Sequence, residues 1–129
     1  MKLRTALLTL LVTPILITPA KALLVETEQQ FLEGVVVYIT KKQEFADELK
    51  AHFSKATDPN YEYDSKKTPR IICELTELAK EEDRYLEENR KFYKVLPGNY
   101  LVGFDMHKKT LKKNRDKFEK DGYICSELL

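Results

Sequence analysis

Apolar residues recur at helical spacing through most of this chain. Between residues 24 and 56, Phe31, Leu32, Val35, Val36 and Ile39 can share one helical face, and Phe45, Leu49, His52 and Phe53 continue the spacing. The run Gly34-Val35-Val36-Val37-Tyr38-Ile39-Thr40 is β-branched enough to read as a strand too. A strand needs a partner, and the obvious one is Tyr100-Leu101-Val102-Gly103-Phe104. We read the segment as helix, with a break or bend near Thr40 dividing it in two.

Residues 57 to 68 form a loop opened by the turn Thr57-Asp58-Pro59-Asn60. Thr68 and Pro69 then suit the N-cap and first position of a helix. That helix is predicted over 69 to 96, with Ile71, Ile72, Leu75, Leu78, Ala79, Tyr85, Leu86, Phe92, Tyr93 and Leu96 as one broad buried face. Pro97-Gly98-Asn99 ends it. A last helix is predicted from about Asp105 to Asp121, with the narrow stripe Phe104, Leu111, Phe118 and Cys125, and Gly122 at its end. The fold expected is mainly α: a three- to four-helix domain over residues 23 to 129.

The cysteines refine this. Cys73 lies near the start of the long helix and Cys125 just past the end of the last one, equidistant from the Pro97-Gly98-Asn99 turn. The fold class therefore includes a disulfide-bridged C-terminal antiparallel helical hairpin. Charge points the same way. Residues 74 to 88 carry seven acids against Lys80 and Arg84, and residues 108 to 120 carry seven bases against Asp116 and Glu119. The hairpin register sets the blocks side by side, so the acidic block is expected to neutralise the basic one.

The first 22 residues differ from the rest. Met1-Lys2-Leu3-Arg4 is a short positive start, Ala6 to Ile17 is mostly apolar, and Ala20 and Ala22 stand at small-residue positions before a cleavage point. That order is the order of a secretory signal peptide, cut after Ala22. Its apolar run is shorter than the roughly 20 residues a spanning helix needs. Removing it takes away Lys2, Arg4 and Lys21 from 22 bases and leaves 19 against 21 acids. That balance gives no general attraction to DNA, RNA or membrane, so no nucleic-acid partner is expected, and no later run is apolar enough to span a bilayer. A cysteine pair after export reads as one disulfide, which places the protein in the periplasm or secreted.

Little in the chain points to chemistry. Asp58 to Asp64 offers alternating oxygen ligands, but Tyr63 stands where a calcium loop needs Gly and Pro69 where it needs Glu. His52 and His107 are the only histidines, and Cys-x-x-Cys-His is absent. No cofactor and no bound metal are expected. There is no Gly-x-Ser-x-Gly and no Gly-rich phosphate loop, so no catalytic residue is assigned. Tyr61, Tyr63, Tyr100 and Phe104 lie near loops or helix ends, where aromatic side chains anchor protein interfaces. The leading expectation is a non-catalytic protein-binding module, such as an inhibitor, immunity or assembly factor, whose partner is another envelope or secreted protein. An acid-stress chaperone, and a haem or metal carrier using Met106, His107 or His52, are the alternatives.

Overall fold

The computed structural model describes residues 24–129; the predicted signal peptide lies outside them. Among the described residues there are four α-helices: α1 (Glu28–Lys55), α2 (Lys67–Glu88), α3 (Tyr100–Lys120) and the short α4 (Cys125–Leu128). A 3-10 segment, Arg90–Val95, joins α2 to α3, and the described residues contain no strand. Both segments considered as strands are helical.

Helix α1 runs unbroken through Thr40. Its start is strongly specified: the Thr27 hydroxyl accepts from Gln30 N, and the Gln30 side chain accepts from Thr27 N, a complete capping box. Burial outweighs β propensity along it. Phe31 and Val35 are in the core, Phe31 stacks on Tyr85 and packs against Phe92, and Tyr38 meets Tyr85. The buried face differs from the predicted one. It runs through Phe31, Val35, Tyr38, Lys42, Phe45, Leu49 and His52, alternating steps of four and three, while Leu32, Val36, Ile39 and Phe53 are exposed.

Helix α2 is the centre of the molecule, packed on α1 along one flank and on α3 along another. Its buried apolar set includes Ile71, Leu75, Leu78, Tyr85 and Leu86. It begins at Lys67 rather than at Pro69. The Asp64 carboxylate accepts from Lys66 N at 2.9 Å and the Asp64 carbonyl from Lys67 N at 3.2 Å, so an Asx turn starts the helix early. Pro69 then falls in the first turn, where its missing N–H leaves no bond unmade. Thr68 makes no cap; its hydroxyl oxygen is buried without a hydrogen-bond partner.

The predicted helix over 69 to 96 breaks at Asn89. This buried side chain donates from Nδ2 to the Tyr85 carbonyl at 2.8 Å and accepts from Val25 N at 3.1 Å, tying the helix end to the segment before α1. A short amide side chain that takes up backbone partners competes with helix continuation. Beyond it the 3-10 segment buries Phe92 and half-buries Tyr93. Helix α3 starts at Tyr100, five residues earlier than predicted, and buries Phe104 and Leu111 with Phe118 beside them.

Cys73 and Cys125 form the disulfide, with Cα atoms 5.5 Å apart. The hairpin is antiparallel, but its register is not the one the cysteines suggest. Lys108 pairs with Asp83, which centres the turn at the end of the 3-10 segment, before Pro97-Gly98-Asn99. Cys125 reaches Cys73 because the chain doubles back after α3 at Gly122, whose φ of 91° suits glycine.

Candidate functional site

The three long helices share one pattern. Steps of alternating four and three run through Phe31 to His52 in α1, through Ile71, Leu75, Leu78, Glu82 and Tyr85 in α2 to Asn89 at its C-cap, and through Tyr100, Phe104, His107, Leu111, Asn114 and Phe118 in α3. Such a repeat keeps one seam facing the neighbouring helices. Its apolar layers are interrupted by one ionic layer, Lys42, Glu82, Tyr100 and His107.

Glu82 is fully buried. Lys42 Nζ lies 2.9 Å from its Oε1 and 3.1 Å from its Oε2, and the Tyr100 hydroxyl donates to Oε1 at 2.9 Å. The ammonium also rests over the Tyr100 and Phe104 rings, 5.8 and 5.4 Å from their centroids. Lys108 Nζ covers Phe104 as well, at 4.9 Å, while paired to Asp83 at 2.8 Å. Burial, then the charge of Glu82, raises the Tyr100 hydroxyl above its ordinary value, which keeps it a donor. Burial, then the charge of Lys42, lowers the His107 imidazole, with Glu82 acting the other way. The neutral ring leaves Nε2 buried without a hydrogen-bond partner.

This layer opens outward into a cleft of about 290 Å³ lined by Lys42, Asn99, Tyr100, Gly103, Phe104 and His107. Both Glu82 oxygens are engaged from inside the protein, so the carboxylate acts as a tie among three helices rather than as a reagent facing a substrate. Buried ionic pairs of this kind are weak contributors to stability and are best attested as devices that fix register.

The four predicted partner-binding residues fall into two groups. Tyr100 and Phe104 belong to the ionic layer, and Phe104 is only 6% exposed, so its ring is core. Tyr61 and Tyr63 gather instead around His52, one turn from the end of α1. His52 Nδ1 and the Tyr61 hydroxyl are hydrogen-bonded at 3.0 Å, and the Tyr63 ring stacks on the imidazole at 4.5 Å. His52 and Lys42 are ten positions apart on one helix, about 15 Å at the α-helical rise. The two groups are therefore separate places on the molecule.

Sequence reasoning missed Lys42 and Glu82, although a signal exists. A base and an acid each occupy a seam position where every helical neighbour at that spacing is apolar or aromatic. Opposite charges at seam positions of two helices point to each other. The acidic block was expected to neutralise the basic one, and it does so at one place: Lys108–Asp83 is the ion pair joining α2 to α3 among the described residues. Lys109 and Arg115 pair within their own helix, and Lys112, Lys113, Lys117 and Lys120 have no ion pair there.

Histidine and methionine placements bear on the carrier reading. Met106 is exposed and His107 half-buried on α3, and His52 is enclosed by aromatics elsewhere. Among the described residues no three His, Cys, Asp or Glu side chains gather as a metal site would require. No helix there is long and apolar enough to cross a membrane. Compared with protein families, curated proteins and solved structures, the chain matches none.

Proposed function

We propose that this chain is a non-catalytic binding module of the cell envelope or the secreted space, presenting the outer flank of α1 to a partner protein. One observation carries the reading. Leu32, Val36 and Ile39 recur at helical spacing on α1 and stay exposed, Val36 at 57% and Ile39 at 45%. The helix is fixed at its start by a capping box and along its length by the core, so the flank is rigid before any partner arrives. Contiguous apolar surface on a rigid element is a frequent mark of a protein interface. The disulfide is compatible with an oxidising compartment.

The test is affinity capture from envelope extract at neutral pH, using tagged protein from residue 23 onward and its Val36→Gln/Ile39→Gln variant. A single stoichiometric species held by the parent and lost from the variant, with equal thermal stability, supports the reading. A species held equally by both rejects this flank, and nothing held by either rejects the module.

The acid-stress chaperone has one specific observation behind it. The ionic layer ties the long helices α1, α2 and α3 together through Glu82, and burial holds the His107 imidazole beside it below its ordinary value. Acid that charges this ring next to the Lys42 ammonium would loosen α3 from its neighbours. Suppression of client aggregation at pH about 3 but not at neutral pH, by protein with the bridge intact, would favour it.

A further inference from the structure

The outer face of α3 carries a stripe that the core does not use. Val102, Met106, Lys109, Lys113, Lys117 and Lys120 follow one another at steps of three and four, so they share a face. Val102 is 64% and Met106 63% exposed. Lys109 is paired with Asp105, but Lys113, Lys117 and Lys120, with Lys112 beside them, have no ion pair among the described residues. Lys113, Lys117 and Lys120, together with Asn114 and Asp116, line a shallow concavity of about 510 Å³. Among the described residues no acid of α2 pairs with it; the ion pair from α2 to this helix is Asp83–Lys108.

We infer that this face docks on the surface of an anionic phospholipid bilayer. Charge complementarity selects an anionic surface: unpaired ammonium groups on flexible stems cluster at one end of the helix, where Asp116 shares the concavity, Glu119 is paired with Arg115 and Asp121 follows Lys120. The apolar end selects lipid over an acidic polypeptide. Val102 and Met106 stand clear of the core in line with the lysines, so they enter the headgroup boundary while the lysines meet phosphates. Basic residues beside exposed apolar ones are the pattern of helices that lie on a membrane rather than across it. The proposal does not depend on the partner protein or on the α1 flank.

The probe is vesicles of phosphatidylglycerol and phosphatidylcholine in equal parts, against vesicles of phosphatidylcholine alone. The protein is used cut after Ala22, as the signal peptide read in the sequence implies. Co-sedimentation with the anionic vesicles at low salt, loss at high salt, and no binding to neutral vesicles are expected. Reversal of three lysines, Lys113→Glu/Lys117→Glu/Lys120→Glu, should lower partitioning by roughly a hundred-fold or more, since each basic residue near such a surface contributes about 1 kcal/mol. Lys113→Gln/Lys117→Gln/Lys120→Gln repeats the test with less electrostatic disturbance, and Met106→Ser should weaken binding by a smaller factor. Lys41→Glu, on the other side of α1, should leave it unchanged. The inference is overturned if the parent ignores anionic vesicles at low salt, or if both triple variants bind as the parent does. It is also overturned if polyglutamate binds while vesicles do not, or if the same lysines instead hold a dimer in vesicle-free solution.

Discussion

At the residue scale the account turns on Glu82, a charge placed where the fold wants a hydrocarbon. Leucine at that position leaves the Lys42 ammonium in the cleft without its counter-ion. Glu82→Leu should therefore cost about 3 kcal/mol, and Lys42→Met/Glu82→Leu should recover most of that, because no charge is then left in the interior. Urea unfolding of the two variants and the parent checks this as a double-mutant cycle. A second residue-scale expectation concerns Gly34. A Cβ there would meet the Tyr85 hydroxyl, which donates to the Phe31 carbonyl at 2.9 Å while its ring stacks on Phe31 and packs on Tyr38. Alanine gains about 1 kcal/mol of helix propensity, yet Gly34→Ala should lower the melting temperature because the ring cannot swing away. A third is pH dependence. Burial and Lys42 hold the folded His107 pKa below its unfolded value of about 6.5. The unfolded chain therefore binds the proton first, and stability is complete above that value and falls as the pH drops below it. Replacing His107→Gln should flatten that part of a stability-against-pH curve. Of the ionic layer and its surroundings, His107, Tyr100 and Phe104 stood out by type in the sequence. Lys42 and Glu82 are invisible in composition, since the chain carries 22 bases and 21 acids; they show only when each is placed on the seam.

At the element scale, the existence of every long helix was legible from apolar spacing, and so were the disulfide and the antiparallel hairpin. Boundaries were not, and the reasons are local. Asp64 starts α2 early through an Asx turn, and Asn89 ends it early by turning its amide onto the backbone. The face of α1 was misread by about one residue because Val36, Val37 and Ile39 are as apolar as the positions that the core uses. Only the partner's shape, Tyr85 beneath Gly34 and Phe31, selects between them. The hairpin register was misplaced because Gly122 folds the chain back before Cys125. That geometry gives the bridge a definite role: it fastens α4 to the start of α2 across a sequence separation of 52. Cys73→Ser/Cys125→Ser should cost up to about 4 kcal/mol in the chain-entropy model. Amide exchange should rise first in residues 122 to 129, which the bridge holds together with the packing of α4 on α2 and the Phe118–Tyr123 ring contact. Equal exchange there with and without the bridge would remove this assignment.

At the scale of the whole molecule, α2 is spent on the interior while α1 and α3 each keep an outward face. These faces differ in chemistry. That of α1 is apolar and rigid; that of α3 is apolar at its beginning and cationic toward its end. A third side is acidic, where Glu44, Glu74, Glu77 and Glu81 border Phe45 and Leu78. The distribution explains why a nearly neutral chain need not behave as one. Overall balance says little when opposite charges lie on separate sides, and among the described residues the two blocks meet in an ion pair only at Lys108–Asp83. The central claim is that the α1 flank is a docking surface, and isothermal titration of the captured partner tests it most directly. The partner would be titrated into the parent, the Val36→Gln/Ile39→Gln variant and a Tyr61→Ala/Tyr63→Ala variant. The account predicts that the α1 variant weakens binding at least about tenfold, a loss of about 1.4 kcal/mol, while the tyrosine variant binds as the parent does. Unchanged affinity of the α1 variant, with loss in the tyrosine variant, would contradict it and move the interface to the aromatic cluster around His52.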